Sequence, residues 1–103
     1  MSKQNKKQLT ITVNGQEYPY IETMGALLGF KNETGLDIPA DLEDNLKYMY
    51  HVVKAVCRRE KREFDMSFGE FADGLDAEEF NRVLQAINAN GDGEAGNDGK
   101  KNG

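Results

Sequence analysis

The stretch that decides the fold is DLEDNLKYMYHVVKAVCRREKRE, residues Asp41–Glu63. Its large apolar side chains recur every three or four residues, a spacing that lines one face of an α-helix. They are Leu42, Leu46, Met49, Val53 and Val56. Asp41 can cap this helix because its carboxylate accepts hydrogen bonds from the N–H groups of the first turn. At about 1.5 Å per residue the helix would be roughly 30 Å long, about the diameter of a small domain. The spacing therefore predicts a long central helix whose apolar face the rest of the chain covers.

Length and composition limit the class of protein. The chain has 103 residues, a formal charge of -5, a mean hydropathy of -0.72 and one cysteine. A chain of this length forms one domain with a small core. One cysteine cannot form an internal disulfide, which fits a reducing compartment. The negative charge argues against a general nucleic-acid binder, because such a protein needs a basic surface.

The two ends of the chain differ from its middle. We predict a disordered N-terminal arm at residues 1–7, a single globular domain at residues 8–89 and a disordered tail at residues 90–103, which is rich in Gly, Asn and Asp. The sequence contains no long apolar run that could span a membrane and no apolar segment typical of a signal peptide. We therefore expect a cytoplasmic protein that does not associate with membranes.

The beginning of the domain has the pattern of a β-hairpin. Leu9–Val13 alternates apolar and polar residues, and Asn14–Gly15 is the strongest short signal for a type I′ turn. Gln16–Ile21 then returns as the second strand. With a two-residue loop, one face carries Leu9, Ile11, Val13, Tyr18 and Tyr20. A hairpin alone is marginally stable in water, so this one should pack on helices.

A first helix is predicted at Met24–Thr34, with Thr23 as its N-cap and Gly35 after its last residue. One face of this helix is expected to carry Met24, Leu27, Leu28 and Lys31, with Phe30 alongside. Gly29 inside this helix costs about 1 kcal/mol relative to alanine. Its presence therefore points to close packing against the hairpin or a partner.

Two more helices complete the domain. Ser67 and Glu70 have the spacing of a capping box, which predicts a short helix at Phe68–Asp73. The last helix is predicted at Ala77–Ala89, with an apolar stripe of Phe80, Val83, Leu84 and Ile87. The order of elements predicts an α+β fold that is mostly α. An N-terminal β-hairpin would pack on a small bundle of about four helices with one long central helix.

The sequence contains no motif of a known catalytic or metal site, since P-loop, GxSxG, HExxH and GxGxxG patterns are absent. His51 is the single histidine, and we expect it to be a partly exposed polar side chain. Cys57 lies near cations that would lower its thiol pKa, but burial as a small core residue is the stronger interpretation. Asn88–Gly93 resembles the start of a calcium loop, yet Gly99 stands where that loop needs glutamate. We predict a protein that is not an enzyme and that binds no metal or cofactor.

Two groups of residues are candidates for a protein-binding surface. Tyr48 and Tyr50 flank the apolar face of the long helix, and tyrosine suits a surface that is apolar on one side and wet on the other. The alternative is that both rings only cover the hairpin. Together with Phe30 and the basic end of the helix, the predicted protein-binding residues are Phe30, Tyr48, Tyr50, Lys54, Arg58, Arg59 and Arg62.

The basic end of the long helix allows two interpretations. It contains Lys54, Arg58, Arg59, Lys61 and Arg62. These cations could form a site for a phosphate or a partner. They could instead compensate the helix dipole and pair with the acidic stretch at residues 63–79, which contains seven acids and no base. We favour a surface on which a basic region lies beside an acidic region, and such a surface could orient a protein partner.

Two segments resemble those of a known family. The segment TMGALLGFKNETG (Thr23–Gly35) follows the hairpin with VNGQEY (Val13–Tyr18), and FDMSFGEFAD (Phe64–Asp73) follows the long helix. This order, over roughly Ile11–Ile87, resembles the tail-assembly chaperone-like proteins of temperate phages and prophages. The resemblance implies a non-enzymatic protein of the bacterial cytoplasm. Such proteins bind the tape-measure protein and keep it soluble while tail subunits assemble around it.

Two alternatives remain beside this hypothesis. The chain could be a minor virion protein of the tail or of the head–tail joint, which would self-assemble into homo-oligomers. It could also be a small nucleic-acid-binding regulator that uses the basic end of the long helix. The net charge makes the regulator the least favoured of the three.

Overall fold

The computed structural model describes residues 8–95, in which a two-stranded hairpin precedes four helices. The elements are β1 (Thr10–Val13), β2 (Gln16–Pro19), α1 (Met24–Thr34), α2 (Leu42–Glu60), α3 (Phe68–Gly74) and α4 (Ala77–Ala95). The fold is α+β and mostly α, which confirms the predicted class. Helix α4 extends past the predicted end at Ala89. The predicted N-terminal arm and residues 96–103 of the predicted tail lie outside the described residues.

The hairpin has the predicted register. Ile11 lies opposite Tyr18 in the antiparallel pair. The φ angles of Asn14 and Gly15 are 55° and 75°, and a type I′ turn requires positive values at both positions. Strand β2 ends at Pro19, which is earlier than predicted. The inward face is buried at Ile11, Val13, Tyr18 and Tyr20.

Helix α4 supplies hydrogen-bond partners to the outer edge of β1. The Thr12 N–H donates to the Glu79 carboxylate over 2.7 Å, and the Arg82 guanidinium donates to the Thr10 carbonyl over 2.7 Å. Glu79 and Arg82 also form an ion pair of 2.8 Å with each other. Side chains of α4 therefore occupy an edge that would otherwise be open to another strand.

Helix α2 forms the centre of the core. Asp41 caps it as predicted, because its carboxylate accepts a hydrogen bond from the Asp44 N–H over 2.9 Å. The helix ends earlier than predicted, since Lys61 has a left-handed φ of 60°. Cys57 is fully buried, as expected, and burial raises the pKa of its thiol. Six residues of α2 are buried, namely Met49, Val52, Val53, Ala55, Val56 and Cys57.

The predicted apolar face of α2 is wrong at its first residue. Leu42 is 69% exposed, whereas Met49 is 1% exposed. Leu46 is partly buried and packs against the core. The neighbouring elements therefore cover α2 only from Leu46 onward, and the first turn is left in solvent.

Helix α1 buries a different face from the predicted one. Its buried residues are Ala26 and Phe30, and its exposed apolar residues are Met24, Leu27 and Leu28. The reason lies at Gly29, where an added Cβ would be 2.6 Å from Nδ1 of His51. Glycine thus lets α1 lie directly on α2, so the close contact is with α2 and not with the hairpin or a partner. The face of α1 with Gly29 lies on α2 and Phe30 is buried, whereas Met24 and Leu28 face outward.

The last two helices follow the sequence pattern more closely. Ser67 and Glu70 form the predicted capping box at the start of α3. Phe71 of α3 is fully buried, and Leu75 after it is 7% exposed. On α4 the buried part of the stripe is Phe80 and Val83, whereas Leu84 and Ile87 are only partly buried. The apolar stripe of α4 therefore extends beyond the closed core.

Candidate functional site

A groove opens where α1, the connector between α1 and α2, α2 and α4 meet. Its apolar lining consists of Leu27, Ile38, Pro39, Tyr48, Leu84 and Ile87. Its polar lining consists of Glu22, Asp37, Asn45 and Asn88, which include two acids and no base. The volume is about 290 Å³, at the lower end of pockets that hold small molecules, about 300 to 1,000 Å³. We call this feature the apolar groove.

The wall from α4 consists of Leu84 and Ile87. The two residues are one helical turn apart and therefore lie on the same side of α4. Both pack against the core from its margin, so each has one side on the core and another open to the groove. On the opposite wall, Ile38 of the connector is 74% exposed. The groove thus combines a fixed helical wall with a strongly exposed apolar side chain.

The connector is held by the end of α1. Gly35 has a φ of 79°, and its N–H donates to the Lys31 carbonyl over 2.7 Å, which stops the helix. The hydroxyl of Thr34 then accepts a hydrogen bond from the Leu36 N–H over 3.1 Å. These local bonds turn the chain back toward α2 and place Ile38 beside the groove.

Tyr48 is the polar anchor of the groove wall. Its ring packs edge-on against Phe30 with 5.4 Å between ring centroids, and its hydroxyl donates to the Glu22 carboxylate over 2.7 Å. Burial raises the pKa of Tyr48, and the bond to Glu22 raises that pKa further, so the hydroxyl remains a donor. The hydroxyl of Tyr20 is buried and has no hydrogen-bond partner among the described residues. Burial, and next the nearby Glu22 charge, raise the pKa of Tyr20 as well.

The exposed large apolar side chains are concentrated in one segment of the chain. All of those in the described part of the chain lie between residues 24 and 42. They are Met24, Leu27, Leu28, Leu36, Ile38 and Leu42. Two of them, Leu27 and Ile38, line the groove, and exposed apolar surface is typical of a site that binds another protein.

Two predicted surface residues lie elsewhere than expected. The expectation that Phe30 is part of an exposed surface is wrong, because Phe30 is fully buried beneath Tyr48. Tyr50 is half-buried, and its hydroxyl donates to the Met66 carbonyl over 2.9 Å. Its ring contacts three aromatic rings of the segment that follows α2, namely Phe64, Phe68 and Phe71. The tyrosine rings therefore cover Phe30 and this aromatic segment.

A second, smaller cavity lies at the basic end of α2. Its lining consists of Lys54, Arg58, Arg62 and Phe64, and its volume is about 220 Å³. We call it the basic pocket. It brings together three of the predicted protein-binding residues. Arg59 and Lys61 are exposed and do not line it.

The basic end does not pair with the acidic stretch that follows. Among the described residues, its single ion pair joins Arg62 to Glu60 over 3.6 Å. Glu79, the one acid of the stretch that forms an ion pair there, pairs with Arg82. The interpretation that these cations are neutralised by residues 63–79 is therefore wrong for side-chain contacts, because no acid of that stretch, which the structure describes in full, forms an ion pair with them.

His51 takes part in a polar contact between α1 and α2. Its Nε2 lies 2.7 Å from the Glu33 carboxylate, and its side chain is 14% exposed. Lys47 approaches the same carboxylate at 3.6 Å. The bond with His51 lowers the pKa of Glu33, and burial raises it in part. The charges of His51 and Lys47 lower this pKa further. His51 is thus the partly exposed polar residue that the sequence predicts, and it lies against Gly29.

In residues 8–95 no three His, Cys, Asp or Glu side chains come together in a way that could hold a metal ion. Within the same range, no helix combines the length and the apolar character that a membrane crossing requires.

Comparisons with known proteins give no relative. No protein-family profile, no curated protein and no solved structure matches this chain. The resemblance to tail-assembly chaperone-like proteins therefore stays a prediction.

Sequence reasoning identified Tyr48 but missed the other apolar residues of the groove. The missed residues are Leu27, Ile38, Pro39, Leu84 and Ile87. A signal was present in the segment from 24 to 42, which holds more large apolar side chains than a small core can cover. Their common site arises only when four separate elements come together.

Proposed function

We propose that this protein is a non-enzymatic, tail-assembly chaperone-like protein of a phage or prophage. In this proposal the apolar groove binds an amphipathic helix of the tape-measure protein during tail assembly in the bacterial cytoplasm. The observation that supports it best is an open apolar groove whose lining includes the exposed side chains of Leu27 and Ile38. The sequence resemblance supplies the identity of the partner.

The shape and chemistry of the groove favour a helical partner. A helix docks by placing apolar residues three or four positions apart into a groove, and Leu84 and Ile87 present a matching pair on α4. Glu22 adds negative charge beside the apolar lining, whereas Asp37 is paired with Lys31 over 2.8 Å. A partner helix with basic residues next to its apolar face would be complementary in both respects. Covering that face would keep the long partner soluble until tail subunits replace the chaperone.

A charge placed in the groove tests this proposal. Ile38 is 74% exposed, so Ile38→Glu is expected to change the stability of the fold little. It puts a carboxylate where the apolar face of the partner would lie. When the tagged chain is co-expressed with the tape-measure protein of the same phage or prophage, we expect recovery of the partner to fall about tenfold.

The matched control is Gln16→Glu. Gln16 is exposed on the hairpin and does not line the groove, so the same change of charge should leave the complex intact. Equal loss of the partner in both variants, or in neither, would contradict a site in the groove. A tape-measure protein that is equally soluble alone and forms no complex would contradict the chaperone function.

A second candidate is a self-assembling virion subunit. The observation in its favour is the separation of basic and acidic surfaces that do not pair within the described chain. Such a surface can associate head to tail with a second copy. This candidate predicts that purified particles contain the protein, whereas a chaperone should be absent from them.

A further inference from the structure

We propose that the basic pocket binds carboxylate groups of an acidic polypeptide segment. The pocket is lined by Lys54 and Arg58 of α2, whereas the apolar groove is lined by Asn45 and Tyr48 of that helix, and the two sites share no lining residue. The proposal therefore goes beyond the groove and does not depend on it.

The positive charge of the pocket is largely uncompensated. No acid is among its lining residues. Within the described part of the chain, Lys54 and Arg58 form no ion pair. Arg62 approaches Glu60 at 3.6 Å and donates to the Glu17 carbonyl over 3.3 Å. Two of the three cations are thus available to an anion.

Neighbouring groups hold these cations in place. The Lys54 ammonium lies 5.6 Å from the centre of the Tyr50 ring, and the Arg62 guanidinium lies 4.7 Å from the centre of the Tyr18 ring. Such contacts attract a cation to the face of the ring and limit its freedom. Because the cations are held before the ligand arrives, binding loses less conformational entropy.

The start of α1 adds positive potential beside the pocket. Arg58 lies so close to Gly25 that an added Cβ there would be 3.0 Å from its Nη2. Gly25 is in the first turn of α1, and that turn contains no acid. The N-terminal end of a helix carries a partial positive charge. Arg58 and the helix end therefore present the same sign of charge to a ligand.

The lining favours a carboxylate over a phosphate. A guanidinium can bind either group through two parallel hydrogen bonds. Arginine clusters also form phosphate sites, so the choice between the two anions depends on the other features of the lining. Phe64 offers an apolar surface to the methylene groups of a glutamate, and a volume of about 220 Å³ suits a single side chain.

The charge of the whole chain also selects among anions. The net charge of -5 repels a long polyanion such as duplex DNA. A short acidic peptide interacts mainly within about 10 Å, because salt screens charges beyond that distance. Its binding therefore depends more on the charges of the basic pocket than on the charges of the rest of the surface.

The test measures binding of a fluorescein-labelled peptide with the sequence EELEELEE by fluorescence anisotropy. We expect saturable binding that weakens as salt increases. Arg58→Ala should weaken it about five- to tenfold, as expected for the loss of a charge-assisted donor. The control is Arg59→Ala, which removes the same charge from an exposed neighbour outside the pocket and should change the affinity less than about twofold.

Several results would overturn the proposal. One is equal weakening by the two variants, which would indicate unspecific attraction. Another is equal binding of the peptide QQLQQLQQ, which carries no carboxylate in its side chains. Stronger displacement of the acidic peptide by inorganic phosphate or duplex DNA than by unlabelled acidic peptide would assign the pocket to a different ligand.

Sedimentation velocity, together with the peptide-binding measurement, distinguishes the source of the carboxylates. The acidic stretch of a second copy would give concentration-dependent association in sedimentation velocity, and Arg58→Ala would reduce it. Absence of self-association together with peptide binding assigns the pocket to another chain. Ile38→Glu should leave peptide binding unchanged, so the basic pocket and the apolar groove are tested separately.

Discussion

A single glycine determines how α1 lies on α2. An added methyl group at Gly29 would come within 2.6 Å of Nδ1 of His51, and the same imidazole holds Glu33 through a 2.7 Å contact. Making room for the methyl group therefore moves the imidazole that contacts Glu33. The position therefore couples the distance between two helices to a polar contact.

The expected result of Gly29→Ala is destabilisation. Alanine improves helix propensity by about 1 kcal/mol, but inserting extra volume into a packed contact costs about 1 to 3 kcal/mol. Moving His51 also removes its bond to Glu33. We expect the free energy of unfolding to fall by about 1 kcal/mol, as measured by urea denaturation followed by circular dichroism.

The control for this change is Gly69→Ala in α3. There the nearest atom to an added Cβ is the Ser67 Oγ at 3.9 Å, an ordinary contact. Only the gain in helix propensity should remain, so the variant should be as stable as the wild type or more stable. A stable Gly29→Ala variant with an intact contact between His51 and Glu33 would refute the close approach of α1.

At the scale of elements, Glu79 joins the hairpin to α4. Its carboxylate accepts hydrogen bonds from Arg82 and from the Thr12 N–H, and these bonds lower its pKa. In the unfolded chain glutamate has a pKa of about 4.3. At a pH between the folded and the unfolded pKa of Glu79, the unfolded chain binds more protons than the folded chain. The stabilisation that Glu79 provides is therefore complete above the unfolded pKa, and it is lost as the pH falls through the folded pKa.

Glu79→Gln should reduce stability at pH 7 by about 1.5 kcal/mol, the typical value for a hydrogen bond to a charged group. It should also flatten the decrease in stability below about pH 5. Urea denaturation at pH 7, 5 and 3.5 measures both effects. The exposed neighbour substitution Glu78→Gln should stay within about 0.5 kcal/mol of the wild type. A pH dependence that is identical for wild type and Glu79→Gln would rule out this role of Glu79.

The sequence predicts those features of the elements that depend on local chemistry. The hairpin register follows from Asn14–Gly15, because only a two-residue turn fits two positive φ angles. The caps at Thr23, Asp41 and Ser67 also form as predicted, since each bond is made within a few residues.

The features that the sequence did not predict are contacts between distant residues. Gly29 determines which face of α1 packs on α2 and is buried. Helical periodicity alone favours burial of another face, which carries larger side chains. The apolar groove takes its walls from residues as far apart as Leu27 and Ile87. Helical spacing predicts which residues share a side of one helix, but not which of them remain uncovered after the elements pack.

At the scale of the whole molecule, two distinct surfaces remain available to partners. The apolar groove is formed mainly by the first half of the described chain together with α4. The basic pocket is lined by Lys54 and Arg58 of α2 together with Arg62 and Phe64. One molecule could therefore bind the apolar face of a helix at one site and an acidic segment at the other.

The most direct test of the central claim is hydrogen–deuterium exchange of this protein with and without the tape-measure protein. A partner in the apolar groove should slow amide exchange in the connector around Ile38 and in the part of α4 around Leu84 and Ile87. Exchange in the hairpin should change little. Protection confined to the hairpin, or to residues 54–64 around the basic pocket, with none at the groove would contradict the account.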